Sequence, residues 1–167
     1  MYRRTSLSPE QALQKARNYC SYQDRCHSEV REKLYALGLG KTQVGEALAT
    51  LIGEDYLNEE RFAINYAGGH FRMKQWGRNR IRYELKQKQV SEYCIRKALA
   101  AIDEDAYQRT LIRLSRARWD SLRDEDNPLA RKRKWQTYLL QKGYESDRIS
   151  ALKPPMDERS AAKDDET

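Results

Sequence analysis

The sequence predicts an all-α protein, an elongated tandem array of three three-helix units. Three observations lead there. Apolar residues recur at spacings of three and four along the chain, and no alternating strand pattern is found. Ser, Asn, Asp and Pro stand at the heads of these segments, and Gly at the ends of several. The apolar pattern also matches itself when shifted. A shift of 51 positions carries Val30, Leu34, Val44, Ala47, Leu48 and Leu51 onto Ile81, Leu85, Ile95, Ala98, Leu99 and Ile102. A further 54 carries Ile81, Leu85 and Ile95 onto Trp135, Leu139 and Ile149, and the helix stops Gly38, Gln89 and Gly143 keep the same register. Six matches in one register without a gap exceed what generic helical leucines give. Such a period marks a tandem array whose units finish their cores against one another.

The elements follow in order. Ser8-Pro9-Glu10 places an N-cap, a first-turn proline and a first-turn acid, opening a helix to about Ser21 with Ala12, Leu13, Ala16 and Tyr19-Cys20 inward. A second helix starts near His27-Ser28, carries Val30, Leu34 and Leu37, and stops at Gly38. The third holds Val44, Ala47, Leu48, Leu51 and Ile52 and ends at Gly53. Asn58 caps the fourth, with Glu59 and Glu60 at its positive end and Phe62, Tyr66 and Met73 on its buried side. Gly68-Gly69 inside it costs about 1 kcal/mol each against Ala, which implies a close helix contact there. Gly77 marks a turn into a fifth helix with Ile81 and Leu85, and Ser91-Glu92 opens a sixth with Ile95, Ala98, Leu99 and Ile102. Asp103 starts a seventh with Tyr107, Leu111, Leu114 and Trp119 or Leu122 inward. Asn127-Pro128 opens an eighth with Trp135 and Leu139, stopped by Gly143, and Ser146-Asp147 a short ninth with Ile149 and Leu152. The expected units are 8–53, 54–102 and 103–153, followed by an acidic tail, 154–167, expected to be disordered.

Charge narrows the function. The chain carries +7 overall, with five acids and two bases after Pro154, so the tail is −3 and the body +10. A basic body suits a polyanion or an acidic protein surface. No run approaches a membrane span, and MYRRTSLSPEQ has no apolar stretch to serve as a secretory signal. Three cysteines without a C-x-x-C fit a reducing cytoplasm and no structural zinc; Cys26-His27 is too short a pair to hold a metal. No catalytic constellation accompanies His27 or His70. Gly40-Lys41-Thr42 mimics the end of a phosphate loop, yet position 35 is Tyr and a helix precedes it, so a helix–turn cap is the better reading. Asp55, Glu59 and Glu60 gather where a helix start draws acids anyway. Neither an enzyme nor a cofactor is expected.

The basic residues carry more. Between Arg72 and Lys88 lie Arg72, Lys74, Arg78, Arg80, Arg82, Lys86 and Lys88 against the single acid Glu84. Arg78, Arg82 and Lys86 are four apart and share one helix face. Arg131, Lys132, Arg133 and Lys134 sit on the equivalent helix of the third unit, and Arg109, Arg113 and Arg116 follow one face of the seventh helix. A stripe of this kind grips phosphates with strong salt dependence, or docks on acidic protein. A solvated face with ordinary i,i+4 pairing is the bland alternative, and the shortage of acids between Arg72 and Lys88 weighs against it.

Tyr56-Leu57-Asn58-Glu59-Glu60-Arg61-Phe62-Ala63, then Gly77, Ile81, Glu84-Leu85 and Lys88-Gln89-Val90, resembles the signature of the RecX regulatory proteins, and Glu29-Val30, Lys33-Leu34 and Gly38 fit the same pattern in the first unit. The resemblance runs from about Ser8 to Lys153 and is loosest in the third unit. Gln89, and Asp55 before Tyr-Leu, replace glycines common in the family, both at turns. It implies a non-enzymatic, monomeric modulator of the RecA recombinase. Such a protein lies in the groove of the RecA–single-stranded DNA filament and restrains ATP hydrolysis, filament growth and strand exchange, with direct contact to single-stranded DNA left open. On that reading Arg61, Arg72, Lys74, Arg78, Arg82 and Lys86 form the contact surface, while Phe62, Ile81, Leu85 and Trp135 hold the units in shape. The alternative is a helix-turn-helix DNA-binding transcription regulator, since helices 2–3 and 5–6 have the right size. Such a factor would be expected to pair as a dimer and read duplex.

Overall fold

A computed structural model describes residues 7–155. The described residues form nine α-helices and no strand. They are α1 (Pro9–Tyr22), α2 (His27–Ala36), α3 (Lys41–Gly53), α4 (Glu59–Lys74), α5 (Arg78–Gln87), α6 (Glu92–Ala100), α7 (Glu104–Ser121), α8 (Pro128–Lys142) and α9 (Ser146–Leu152). Most of the expected tail, 156–167, lies outside the described residues.

The caps explain where the helices begin. Ser8 accepts the Gln11 amide and Gln11 Oε1 accepts the Ser8 amide in return, closing a capping box with Pro9 inside it. Asn58 Oδ1 accepts from Arg61, Ser91 Oγ from Cys94, Asp103 Oδ2 from Ala106, and Asn127 Oδ1 from Leu129 and Ala130. Each satisfies an amide that a helix start leaves without an intrahelical partner.

Their ends carry the repeat. At α2 the Leu39 amide donates to the Leu34 carbonyl, at α5 Val90 to Leu85, and at α8 Tyr144 to Leu139. The residue between is left-handed each time: Gly38 at φ +96°, Gln89 at +61° and Gly143 at +100°. This is a Schellman stop, whose apolar clasp joins the two bonded residues. Leu34 and Leu39, Leu85 and Val90, and Leu139 and Tyr144 are all buried. Three tandem three-helix units, α1–α3, α4–α6 and α7–α9, therefore share one local plan.

By compactness the chain divides into two units, Met1–Gly69 with Arg82–Ala101, and His70–Ile81 with Ile102–Thr167. The division runs through residues 54–102. In the first unit, α1–α3 enclose a core of Ala12, Ala16, Cys20, Val30, Leu34, Leu39, Val44, Ala47, Leu51 and Leu57. In the second, Trp119 meets Trp135 edge to face, with ring centroids 6.1 Å apart, and Trp135 Nε1 donates to Ser115 O at 3.1 Å. Tyr107 lies between Phe71 and Tyr144, at 5.7 and 5.1 Å.

Three packing expectations are corrected. Ile52 is 48% exposed, because α3 buries Val44, Ala47 and Leu51 and Ile52 lies a step round from that stripe. Met73 is 84% exposed; α4 buries Phe62 at its start but then Ala63, Ala67 and Phe71, a stripe that drifts away from the Met73 side. A Cβ at Gly69 would have nothing within 4 Å, so no close helix contact explains that glycine.

Candidate partner-binding surfaces

In the first unit the expected contact residues have unequal freedom. Arg61 braces its own fold: Nε donates to Asp24 Oδ1 at 3.2 Å, Nη1 to Asp55 Oδ1 at 3.2 Å and Nη2 to the Asp55 carbonyl at 3.2 Å. Asp24 is held in turn by Asn65 Nδ2 at 2.6 Å. Arg82 pairs with Glu92 across α5 and α6. Lys86 is exposed and joins no ion pair among the described residues. Lys88, two residues on and just past the end of α5, meets Glu29 at 3.0 Å while Ser28 Oγ donates to the Lys88 carbonyl at 2.7 Å. Burial alone would raise the Glu29 carboxyl; the Lys88 ammonium and the Cys26 amide outweigh it and hold it below the usual range.

In the second unit Arg72 and Lys74 are exposed near the end of α4. Arg78 is mostly covered: its guanidinium lies 4.0 Å from the Tyr107 ring centre and donates to Glu104 at 3.0 Å. Its amide donates to Tyr107 Oη, which donates to Glu145 at 2.6 Å. Glu104 also pairs with Arg148, whose Nε reaches Glu145 at 2.8 Å. Arg78 thus ties the start of α5 to the starts of α7 and α9.

Arg131 departs furthest from the expectation. It is only 8% exposed, stacked 3.9 Å over Trp119 with Nη2 donating to the Trp119 carbonyl at 2.9 Å. Its fork and planar face fit a ring and a carbonyl together, which explains an arginine inside a helix pair. Lys132 and Arg133 beside it are exposed, and Lys134 pairs with Glu125. Arg109, Arg113 and Arg116 are exposed along α7.

Within the expected list, Arg72, Lys74, Lys86, Lys132 and Arg133 remain as exposed cations without a carboxylate partner among the described residues. Two residues outside it, Arg80 and Lys142, come together with Lys74 around Trp76. Arg80 Nη1 donates to Gln141 O at 3.5 Å and Lys142 Nζ to Lys74 O at 3.0 Å. Burial first, and Arg80 second, hold the Lys142 ammonium below the ordinary lysine value. Arg80 belongs to the basic run between Arg72 and Lys88; for Lys142 the only sequence signal was its place in the last turn before Gly143, a pattern that ordinarily serves the helix end.

Fold and surface define a tandem three-helix protein with exposed basic residues in each compact unit. Residues 58–99 match the family model described as RecX, second three-helix domain. A protein of Clostridium botulinum named Regulatory protein RecX is 30% identical over 126 residues, 75% of this chain and 58% of its own length. Another so named, from Bacillus cytotoxicus, is 28% identical over 156 residues, 93% of this chain and 56% of its own. The crystal structure of RecX from Lactobacillus salivarius matches the fold with a TM-score of 0.78 at 24% identity, over 86% of this chain and 93% of that one. Together these matches support a RecX-family protein. The chain spans under two thirds of the length of the curated relatives it matches. Among the described residues no helix is long and apolar enough to cross a membrane.

Proposed function

We propose that this chain is a RecX-type regulator that binds the RecA–single-stranded DNA filament and modulates it, chiefly by restraining ATP hydrolysis, filament growth and strand exchange. The observation that carries the reading is the match of residues 58–99 to the second RecX three-helix domain, supported by relatives named as regulatory proteins. The exposed cations Arg72, Lys86, Lys132 and Arg133 suit the acidic or phosphate-bearing surface of such a polymer. Arg61, Arg78 and Arg131 act through the fold, since each is engaged with its own chain. The protein acts by occupying surface rather than by chemistry.

The test is RecA ATPase on single-stranded DNA, with and without this chain, followed by the variant Arg72→Glu, Lys86→Glu, Lys132→Glu and Arg133→Glu. The full chain is expected to slow hydrolysis, and the variant to lose that effect while keeping its helical circular dichroism. Undiminished hydrolysis at saturating chain would overturn the reading.

A further inference from the structure

Two turns of the second unit are stitched face to face. The segment Gln75–Gly77 between α4 and α5 meets Lys142–Tyr144 between α8 and α9. The Gly77 amide donates to Lys142 O at 2.7 Å, the Asn79 amide to Gly143 O at 2.9 Å, and Tyr144 Oη to Gln75 O at 2.9 Å. The Lys142–Lys74 and Arg80–Gln141 bonds complete the seam.

The seam gathers positive charge. Around the Trp76 indole lie the His70 ring, stacked at 4.7 Å, the Arg80 guanidinium at 4.3 Å and the Lys74 ammonium at 5.1 Å, with Lys142 bonded alongside. Cations at the ends of α4 and α8 answer the carbonyls there, and that accounts for one N–H of Lys142 and one of Arg80. It does not account for three cations drawn together while no carboxylate among the described residues pairs with any of them. Elsewhere in this unit Arg78 and Arg148 share Glu104, and Lys134 has Glu125.

We propose that this joint binds a phosphodiester group of a nucleic acid, seated among Lys74, Arg80 and Lys142. Backbone bonds and the close approach of Gly77 to the Gly143 backbone hold the turns in place before any ligand arrives, so little ordering is needed on binding. Trp76 is buried with Arg80 and His70 against its ring, so no base stacks on it and the contact is to backbone, without sequence preference. An acidic protein surface is the weaker fit, because such interfaces are anchored by accessible aromatic side chains and the centre of this cluster offers none. The inference deepens the regulatory reading by giving the chain a nucleic-acid contact of its own, and its test uses no recombinase.

The full chain is titrated against a fluorescent 20-nucleotide oligothymidylate, and against a 20-base-pair duplex, at a series of KCl concentrations. Lys74→Gln with Lys142→Gln is compared with Lys15→Gln plus Lys41→Gln, which removes the same charge from exposed positions of α1 and α3. Each lost phosphate contact on a single strand lowers the slope of log K against log salt by about 0.7, so the joint variant is expected to lose about 1.4 and to bind roughly tenfold more weakly at 0.1 M salt. The Lys15 and Lys41 variant is expected to stay near the parent. The single change Lys74→Gln, at an exposed side chain, is expected to lose about half as much and keeps the result readable if Lys142→Gln disturbs the seam. A loss on the single strand alone, or on both probes, supports the site and says which strand form it holds. Equal losses in the two double variants, or displacement of the oligonucleotide by poly-glutamate at the same charge concentration, would overturn it. Intact oligonucleotide binding without ATPase inhibition would defeat the regulatory reading and leave this site standing.

Discussion

A Cβ placed on Gly77 would lie 2.3 Å from the carbonyl carbon of Gly143, so these two turns can meet only where residue 77 has no side chain. A Cβ on Gly143 would in turn meet the Arg80 Cβ at 2.4 Å, at a backbone angle of φ +100°. Here backbone, not a movable side-chain tip, blocks the added atom.

Gly77→Ala is therefore expected to cost about 3 kcal/mol or more, since relief requires the seam to open and its hydrogen bonds to lengthen. Gly69→Ala is the contrast. That glycine lies within α4 with open space where a Cβ would go, so the change should stabilise by roughly 0.5–1 kcal/mol. Urea unfolding of both variants checks the pair. A harmless Gly77→Ala would mean that the seam yields.

Gln89 occupies the position that glycine holds at the other two Schellman stops, with φ +61°. A non-glycine residue there carries about 1–2 kcal/mol of strain, offset by the 0.5–1 kcal/mol of chain entropy that glycine loses on folding. Gln89→Gly is expected to raise stability by about 0.5–1 kcal/mol, read as a higher urea midpoint with an unchanged slope. Asp55, also left-handed at φ +61°, should gain less, because its carboxylate holds Arg61. A Gln89→Gly midpoint at or below the parent's would show that the turn stores no strain.

The fold was legible because it rests on local rules. Cap residues, the apolar period and the repeat register each depend on neighbours within a few positions, and the stops at Gly38, Gln89 and Gly143 stand where the shift placed them. The surface was less legible because a charge does not announce its partner. Arg61, Arg78 and Arg131 read as contact residues in the sequence, yet they find Asp24, Glu104 and the Trp119 ring through folds that separate these partners along the chain. Lys142 and Arg80 are 62 positions apart, and only the turn-to-turn seam unites them. Met73 was misread for a similar reason, since a helix pattern does not show where the buried stripe drifts.

The Arg131–Lys134 run separates structural from surface charge. Arg131→Ala removes a buried stack on Trp119 and the bond to its carbonyl, and is expected to cost on the order of 2–4 kcal/mol. Lys132→Glu with Arg133→Glu touches only exposed side chains and should stay within about 0.5 kcal/mol of the parent. Thermal unfolding of the two variants checks the distinction. Equal stability would mean that the Trp119 stack contributes nothing.

Acid should weaken the protein in a defined window. Glu29 is held low by Lys88 and the Cys26 amide against the opposing effect of burial, Glu104 by Arg148 and then Arg78, and Glu54 by the Arg17 hydrogen bond. A carboxylate whose folded value lies below its unfolded one, about 4.3 for glutamate, stabilises the native state above that pH. The stabilisation is lost as pH falls through the folded value. The urea midpoint is expected to be flat from about pH 5.5 to 8 and to fall below about pH 4.5. Glu29→Gln should lower the unfolding free energy at pH 7 by on the order of 1 kcal/mol, since Lys88 then lacks a charged partner, and the gap to the parent should narrow toward pH 3. Curves that stay parallel down to pH 3 would show that Glu29 is not part of the acid response, and that the Lys88 contact acts through packing alone.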